Sequence, residues 1–108
     1  MINYDEFSKV EITVGKILSA EKVPDTDKLL KLMVDFGEAT PRQVISGIAM
    51  YHPDPQVLVG RKSMFVTNLE PRTIRGLESQ AMIFAVSTDT AFSLLEPSED
   101  IPVGTKAK

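Results

Sequence analysis

The sequence predicts an all-β barrel, and the spacing of its apolar residues and turn formers supports this prediction. Six short segments either alternate apolar with polar residues or form a brief apolar run, as β-strands do. Most of them are separated by clusters of Gly, Pro, Asp, Asn, Ser or Thr, which are typical of turns. The six expected strands lie at residues 10–17, 30–36, 42–48, 62–68, 81–86 and 92–95.

The first half of the chain is expected to form a short helix and three strands. Asn3 and Glu6 have the spacing of a capping box, which predicts one or two helical turns over residues 4–9. Gly15 interrupts the first strand, where a bulge or sharp bend is expected. The second strand has the most regular alternation, and it is expected to bury Leu30, Leu32, Val34 and Phe36.

The second half is expected to supply a helical insertion, a polar loop and three further strands. Pro53 and Pro55 break the β pattern, and Pro55 suits the first turn of a short helix. Residues 68–80 are expected to be a loop of restricted shape, in which Gly76 can take a positive φ. Residues 81–86 look too apolar to have a solvated face and are therefore expected in the core.

These elements match an OB-fold, a five- to six-stranded Greek-key barrel, here with a short N-terminal helix and a helical insertion after the third strand. A β-sandwich is the alternative. The length of 108 residues indicates one domain, residues 1–108.

Composition argues against several kinds of function. The absence of Cys excludes a disulfide framework and a thiolate metal site, and a single His excludes an imidazole-rich site, so no metal or cofactor is expected. His52 lies in a proline-flanked loop without an implied partner, and no motif of a hydrolase, a phosphate-binding loop or a metalloprotease is present, so no catalysis is expected. No membrane span or signal peptide is recognisable, which favours a cytoplasmic protein.

The net charge of −3 argues against a wholly basic surface, but the charges are unevenly distributed. Between residues 61 and 75, Arg61, Lys62, Arg72 and Arg75 face only one acid, Glu70. A local cationic patch is therefore expected. Because most Phe residues fall in core positions, recognition of a folded RNA by its shape and phosphates is favoured over stacking on a row of aromatic side chains.

Residues 68–83, Asn-Leu-Glu-Pro-Arg-Thr-Ile-Arg-Gly-Leu-Glu-Ser-Gln-Ala-Met-Ile, closely resemble a family signature. The signature is the Asn-Leu-x-Pro-Arg-x-x-x-Gly-x-x-Ser-x-Gly-Met run of the tRNA-binding domain. That domain occurs at the C-terminus of methionyl-tRNA synthetases, in free-standing structure-specific tRNA-binding proteins and in the endothelial-monocyte-activating cytokine. Further similar stretches are residues 14–17, 27–37, 42–48 and 101–106.

The resemblance implies an OB-fold that binds tRNA without reading its sequence, as a homodimer, and that assists aminoacylation. Its expected partners are tRNA, a second copy of the chain and a methionyl-tRNA synthetase catalytic chain. Ala81 stands where the family usually has Gly, and its methyl group is expected to restrict the approach of an RNA backbone. The implied RNA-binding residues are Lys28, Lys31, Arg42, Asn68, Arg72, Arg75, Ser79, Gln80 and Met82.

Two further expectations concern association. The apolar residues near the termini have little else to cover, so the dimer contact is expected at Tyr4, Phe7, Ile101 and Val103. The alternative function is a dimerisation module or a peptide-binding chaperone of the same fold. Neutralisation of four or five phosphates predicts a slope of roughly −3 to −4 for log K against log salt, whereas peptide binding in an apolar groove predicts little dependence.

Overall fold

The computed structural model describes residues 1–108 as a small β protein with very little helix. A four-residue helix, α1 (Tyr4–Phe7), precedes the strands, and two 3₁₀ turns, Ala49–Tyr51 and Pro55–Leu58, follow the third strand. The strands are β1 (Ile12–Lys22), β2 (Leu30–Asp35), β3 (Arg42–Ser46), β4 (Lys62–Val66), β5 (Arg72–Ile74), β6 (Leu77–Ser79), β7 (Met82–Ile83), β8 (Ala85–Ser87) and β9 (Phe92–Leu94).

Five strands form one antiparallel sheet in the order β3-β2-β1-β4-β7. The two outer strands of this order, β3 and β7, contact each other, so the sheet nearly closes into a barrel. The remaining strands form two separate hairpins, β5–β6 and β8–β9. The expected all-β, OB-like fold is confirmed.

The alternation of β2 places one of its faces in the barrel interior. Leu30, Leu32 and Val34 are completely buried, and Phe36 is nearly so. Phe36 meets Phe65 of β4 edge to face, with ring centroids 5.1 Å apart. The burial predicted from the alternation of this strand is therefore confirmed.

Gly15 serves a different purpose from the one expected. It pairs regularly with Ser63 of β4, and the register of β1 against β2 shifts between Ile17 and Ser19, so the irregularity lies at Leu18. A Cβ atom on Gly15 would lie 2.5 Å from Cε1 of Phe36. Glycine is required here because an aromatic ring packs directly against the backbone.

The helical segments are shorter than expected. Asn3 caps α1 by accepting the Glu6 N–H at 2.9 Å, but the helix ends at Phe7 instead of residue 9. After β3 the chain forms two 3₁₀ turns in place of an inserted α-helix, the second of which begins at Pro55. No helix in the structure has the length and apolar character needed to cross a bilayer.

Two expectations for the second half were wrong. Residues 68–80 are not a plain loop, because β5 and β6 form a hairpin within them. Residues 81–86 are not uniformly buried: β7 and β8 are separate strands, Met82 is 46% exposed, and Val86 is largely exposed. The apolar composition of residues 81–86 therefore did not prevent some of these side chains from facing the solvent.

The C-terminal residues cover the beginning of β1. The Val14 N–H donates to the carbonyl of Thr105, and the Ala107 N–H donates to that of Ile12, at 2.9 and 2.8 Å. Ile101 and Val103 are half-buried against the chain itself. The premise that they have little else to cover is therefore wrong, although their part in a dimer contact stays a prediction.

We expect Gly15→Ala to lower the free energy of unfolding by about 1–3 kcal/mol, since its Cβ would overlap Phe36 and would also lie 2.6 Å from Cγ1 of Val34. Urea denaturation measures this change. Gly47→Ala is the matched control, because a Cβ there meets nothing within 4 Å. Equal stability of the two variants would contradict the account of Gly15.

Candidate nucleic-acid interface

The β5–β6 hairpin presents the arginines of the signature. Arg72 pairs with Ser79, and Ile74 pairs with Leu77, which leaves Arg75 and Gly76 as a two-residue turn. Both turn residues have positive φ, 52° and 80°, as a type I′ hairpin requires. Arg72 and Arg75 are therefore presented by a strand and its tight turn, and both side chains are exposed.

Ser79, expected to contact RNA, is buried within the fold. The residue is only 7% exposed. Its Oγ accepts the Ile45 N–H at 3.0 Å and lies 3.2 Å from the carbonyl oxygen of Ala81, to which it can donate. The hydroxyl thus binds a backbone N–H of β3 that a neighbouring strand would otherwise bind. This contact positions the hairpin against β3.

Gln80 and Gln43 join the base of the hairpin to β3. The Gln43 N–H donates to the side-chain oxygen of Gln80, and the Gln80 N–H donates to the carbonyl of Gln43, both at 2.8 Å. The Gln43 side chain donates to the carbonyl of Glu78 at 2.9 Å. We refer to Gln43, Glu78 and Gln80 as the glutamine clamp. Gln43 was not among the predicted site residues, because its position in a short strand carried no signal for this contact.

Arg42 is engaged by the protein. It donates from Nε and Nη2 to the Glu38 carboxylate, both at 2.8 Å, and from Nη1 to the carbonyls of Thr67 and Gln80 at 2.7 and 3.3 Å. One of the five N–H groups of its guanidinium therefore remains free. These hydrogen bonds also hold the pKa of Glu38 below its usual value. The role of Arg42 in RNA binding stays a prediction.

Asn68 and Lys31 also have partners within the chain. Asn68 accepts the Glu11 N–H at 2.8 Å and donates to the carbonyl of Lys9 at 2.6 Å, so its amide ties the end of β4 to the N-terminal segment. Lys31 forms an ion pair with Glu21 at 2.8 Å. An exposed pair of this kind is weak and can exchange for a phosphate.

Lys28 and Arg75 line the same surface cleft. The tip of the hairpin approaches the turn between β1 and β2, where Asp25 has a φ of 62°. We call this site the cationic cleft, and its lining residues are Thr26, Asp27, Lys28, Leu29, Ile74 and Arg75. Neither Lys28 nor Arg75 has a carboxylate partner within 4.0 Å.

A second depression lies on the other side of Ile74. We call it the apolar groove, and its walls include Ile45, Leu69, Arg72, Ile74, Ala81 and Met82. The structure thus brings Lys28, Arg72, Arg75 and Met82 to two adjoining depressions. Asp27 and Glu70 contribute carboxylates to them, so this surface is cationic only in part.

The expected patch over residues 61–75 is divided. Arg61 forms a bidentate ion pair with Glu96, at 2.7 and 2.8 Å, which lowers the pKa of that carboxyl. Lys62 binds Asp100 at 2.8 Å. Both cations are therefore paired with acidic residues of the C-terminal segment. Of the four cations in the expected patch, only Arg72 and Arg75 form no ion pair.

Several known proteins are similar to this chain. The family described as "Putative tRNA binding domain" matches residues 12–106. The methionine–tRNA ligase of Methanospirillum hungatei JF-1 is 49% identical over 107 residues, which cover 99% of this chain and 16% of the ligase. This chain therefore spans about a sixth of the length of that relative.

Solved structures agree over the whole chain. The MetRS related protein from Pyrococcus horikoshii has a TM-score of 0.90 and 39% identity, covering 100% of this chain and 98% of that one. The chaperone CsaA from Bacillus anthracis str. Ames has a TM-score of 0.87 and 27% identity, covering 100% of this chain and 99% of that one.

We expect Ser79→Ala to lower the free energy of unfolding by about 1–3 kcal/mol, because the Ile45 N–H would lose its buried partner. Urea denaturation again measures the change. In the control Ser87→Ala, an exposed serine is removed and stability should change by no more than about 0.5 kcal/mol. Unchanged stability of Ser79→Ala would contradict the role of the hydroxyl as the buried partner of the Ile45 N–H.

Proposed function

The chain belongs to the tRNA binding domain family, and on that premise we propose that it binds tRNA by its shape and phosphates, without reading its sequence. The proposed surface is the cationic cleft together with the apolar groove. In this proposal the domain, residues 1–108, carries out no catalysis and assists aminoacylation as an auxiliary module in the cytoplasm.

The observation that carries the proposal is the distribution of unpaired arginines. The chain has four arginines, of which Arg42 and Arg61 are ion-paired. The two unpaired ones, Arg72 and Arg75, lie on one hairpin, and Arg75 shares a cleft with Lys28. A cation with no carboxylate within 4.0 Å can bind a phosphate without first giving up an ion pair, and these three meet that condition.

The backbone at Arg75 supports a role for its side chain. Its φ of 52° lies in the left-handed region, where Asn or Gly is normally preferred. A long cationic side chain at such a position costs folding energy, which favours a function for the guanidinium over a purely structural turn. It stands at the tip of the hairpin, where a large ligand can reach it.

Met82 provides the apolar part of the proposed contact. Its half-exposed side chain borders the groove beside Arg72, where it can pack on a ribose or a base. Few groups at this surface could read base edges, since Ser79 and Gln80 are hydrogen-bonded within the fold. A tRNA would therefore be recognised through its folded backbone.

A link to aminoacylation is supported by the relatives. The matched relatives include methionine–tRNA ligases, and the part of each ligase that matches this chain is about 16% of that ligase's length. We propose that the domain raises the affinity of a methionyl-tRNA synthetase catalytic chain for tRNA, either as a part of that chain or as a separate partner. A second binding site of this kind increases the effective concentration of the substrate at the enzyme.

Peptide binding is the second candidate function. The observation that favours it is the apolar groove, most of whose lining residues are hydrophobic, in a fold that matches the chaperone CsaA at a TM-score of 0.87. The salt dependence of binding separates the candidates, because an apolar contact releases few counterions.

We also propose a homodimer formed through the N-terminal helix. Tyr4 and Phe7 are 79% and 48% exposed on one side of a four-residue helix that buries none of its residues. They border an apolar depression that is completed by Val10, Ile12 and Ala107. Ile101 and Val103 remain proposed contributors, although each is half-buried already. Two copies would present two RNA surfaces and raise avidity.

Arg72→Ala combined with Arg75→Ala should weaken tRNA binding at least about tenfold, since two charge-assisted contacts are lost. With Lys28, Arg72 and Arg75 each neutralising a phosphate, log K should fall against log salt with a slope of about −2 to −3, and the double variant should reduce its magnitude by about 2.

Titrations of tRNA at several salt concentrations measure both effects. The matched control is Lys16→Ala with Lys22→Ala, which removes two exposed charges that line neither RNA-facing depression nor the proposed dimer contact. Equal loss of affinity in the two double variants would indicate diffuse charge attraction and would contradict the proposed surface. A nearly flat salt dependence in the unchanged protein would favour the peptide-binding candidate.

For the dimer, we expect the unchanged protein to sediment at twice the chain mass of 11.9 kDa, and Tyr4→Ala with Phe7→Ala to sediment as a monomer. The reason is the loss of the apolar area that the proposed contact buries. Val57→Ala with Val59→Ala is the control, because it removes two exposed apolar side chains elsewhere. A monomeric unchanged protein at micromolar concentration would overturn the dimer.

A further inference from the structure

An aromatic pair lies outside the residues that the signature identified. Tyr51, at the end of the first 3₁₀ turn, stacks on Phe92 of β9 with ring centroids 4.4 Å apart and ring planes 15° from parallel. Phe92 packs against the barrel core. His52 meets Phe92 edge-on at 5.1 Å, and its Nε2 is buried without a hydrogen-bond partner, so packing alone places this imidazole.

The outer face of Tyr51 is available to a ligand. Phe92 covers one face of the phenol ring, yet the residue remains 47% exposed. The ring is held by its stacking partner, and Phe92 is itself anchored in the core, so little side-chain freedom would be lost on binding. A flat, rigid and exposed aromatic surface of this kind suits a planar ligand.

The turn that carries Tyr51 is joined to the cationic cleft through the backbone. The Ala49 N–H donates to the carbonyl of Lys28 at 2.9 Å, so the 3₁₀ turn begins beside a residue that lines the cleft. Tyr51 follows Ala49 by two residues, about 4 Å along a 3₁₀ helix. A ligand that places a phosphate near Lys28 could therefore place a connected planar group on Tyr51.

We propose that Tyr51, supported by Phe92, is a stacking platform for one unpaired base of the tRNA whose phosphates occupy the cationic cleft. This inference rests on the proposed function. A nucleotide combines a flat ring with an adjacent phosphate, and the chain offers an exposed aromatic ring on the turn that is hydrogen-bonded to the backbone of Lys28. Stacking accepts any base, so the platform adds affinity without sequence preference.

The first experiment compares Tyr51→Ala with Met50→Ala, which truncates the exposed neighbour on the same turn. Tyr51→Ala should weaken tRNA binding about fivefold or more, the range measured for loss of one stacked base. Its salt slope should remain unchanged, because no phosphate contact is lost. Tyr51→Phe should restore most of the affinity, and binding of a fully paired RNA duplex should not respond to Tyr51→Ala.

A second measurement does not depend on the stability of the alanine variant. The chain has no Trp, so Tyr51→Trp introduces a single indole that can be excited separately from Tyr4, the one tyrosine that remains. Addition of tRNA should quench this indole by base stacking, and addition of the duplex should leave it bright. Equal emission with both RNAs would overturn the platform.

The outcomes separate this inference from the proposed function. If Tyr51→Ala binds tRNA normally while the Arg72→Ala, Arg75→Ala protein binds weakly, the platform is wrong and the proposed function stands. If neither protein differs from the unchanged one, the proposed function fails and the platform fails with it. If Tyr51→Ala changes the sedimentation but not the affinity for tRNA, a second copy of the chain covers this face and the platform is overturned.

Discussion

The position of the β5–β6 hairpin depends on a small set of polar contacts with β3. The two strands pair only with each other and do not belong to the barrel sheet. A two-stranded hairpin is marginally stable by itself, so its attachment determines where Arg72 and Arg75 lie. The attachment is formed by the buried Ser79 hydroxyl and by the glutamine clamp. These contacts therefore govern the geometry of the whole proposed RNA surface.

Ion pairing explains how an acidic chain can retain a cationic surface. Glu38, Glu96 and Glu11 each hydrogen-bond a cation or a hydroxyl, and their pKa values lie below the usual range. They are thus ionised at neutral pH and keep Arg42, Arg61 and Lys106 occupied. The hairpin arginines form no such ion pair, although Glu70 lines the apolar groove together with Arg72. Which cations are free matters more for phosphate binding than the net charge of −3.

The parts of the fold that the sequence predicted are those in which side-chain periodicity reflects burial. The alternation from Leu30 to Phe36 identified β2 and its buried face correctly. The hairpin at 72–79 was missed because its residues are mostly polar, although Arg75-Gly76 between two apolar residues is a recognisable signal for a two-residue turn. The short strands after Ala81 could not be divided correctly, because burial of one face depends on tertiary neighbours.

The site residues were inferred from the resemblance to a family signature, and a sequence match does not determine the orientation of a side chain. Ser79 and Met82 are three residues apart, but they belong to separate strands joined by a bend at Ala81. Accordingly Ser79 is buried beneath the hairpin and Met82 borders the groove. Ala81 is only 8% exposed but lines the apolar groove, and the expected effect of its methyl group on an approaching RNA backbone stays a prediction. The sequence identified the segment that forms the proposed surface, but not which of its side chains are exposed.

The two sides of the cationic cleft are held by different forces. On one side, Lys28 is tied by a backbone hydrogen bond to the turn that carries Tyr51, whose ring is fixed by stacking on Phe92. On the other side, Arg75 depends on the polar attachment of the hairpin. The first side is built into the barrel core, whereas the second can shift if one hydrogen bond fails. The width of the cleft is therefore determined by Ser79 and the glutamine clamp, and substitutions there can change the fit to a phosphate backbone without changing any charge.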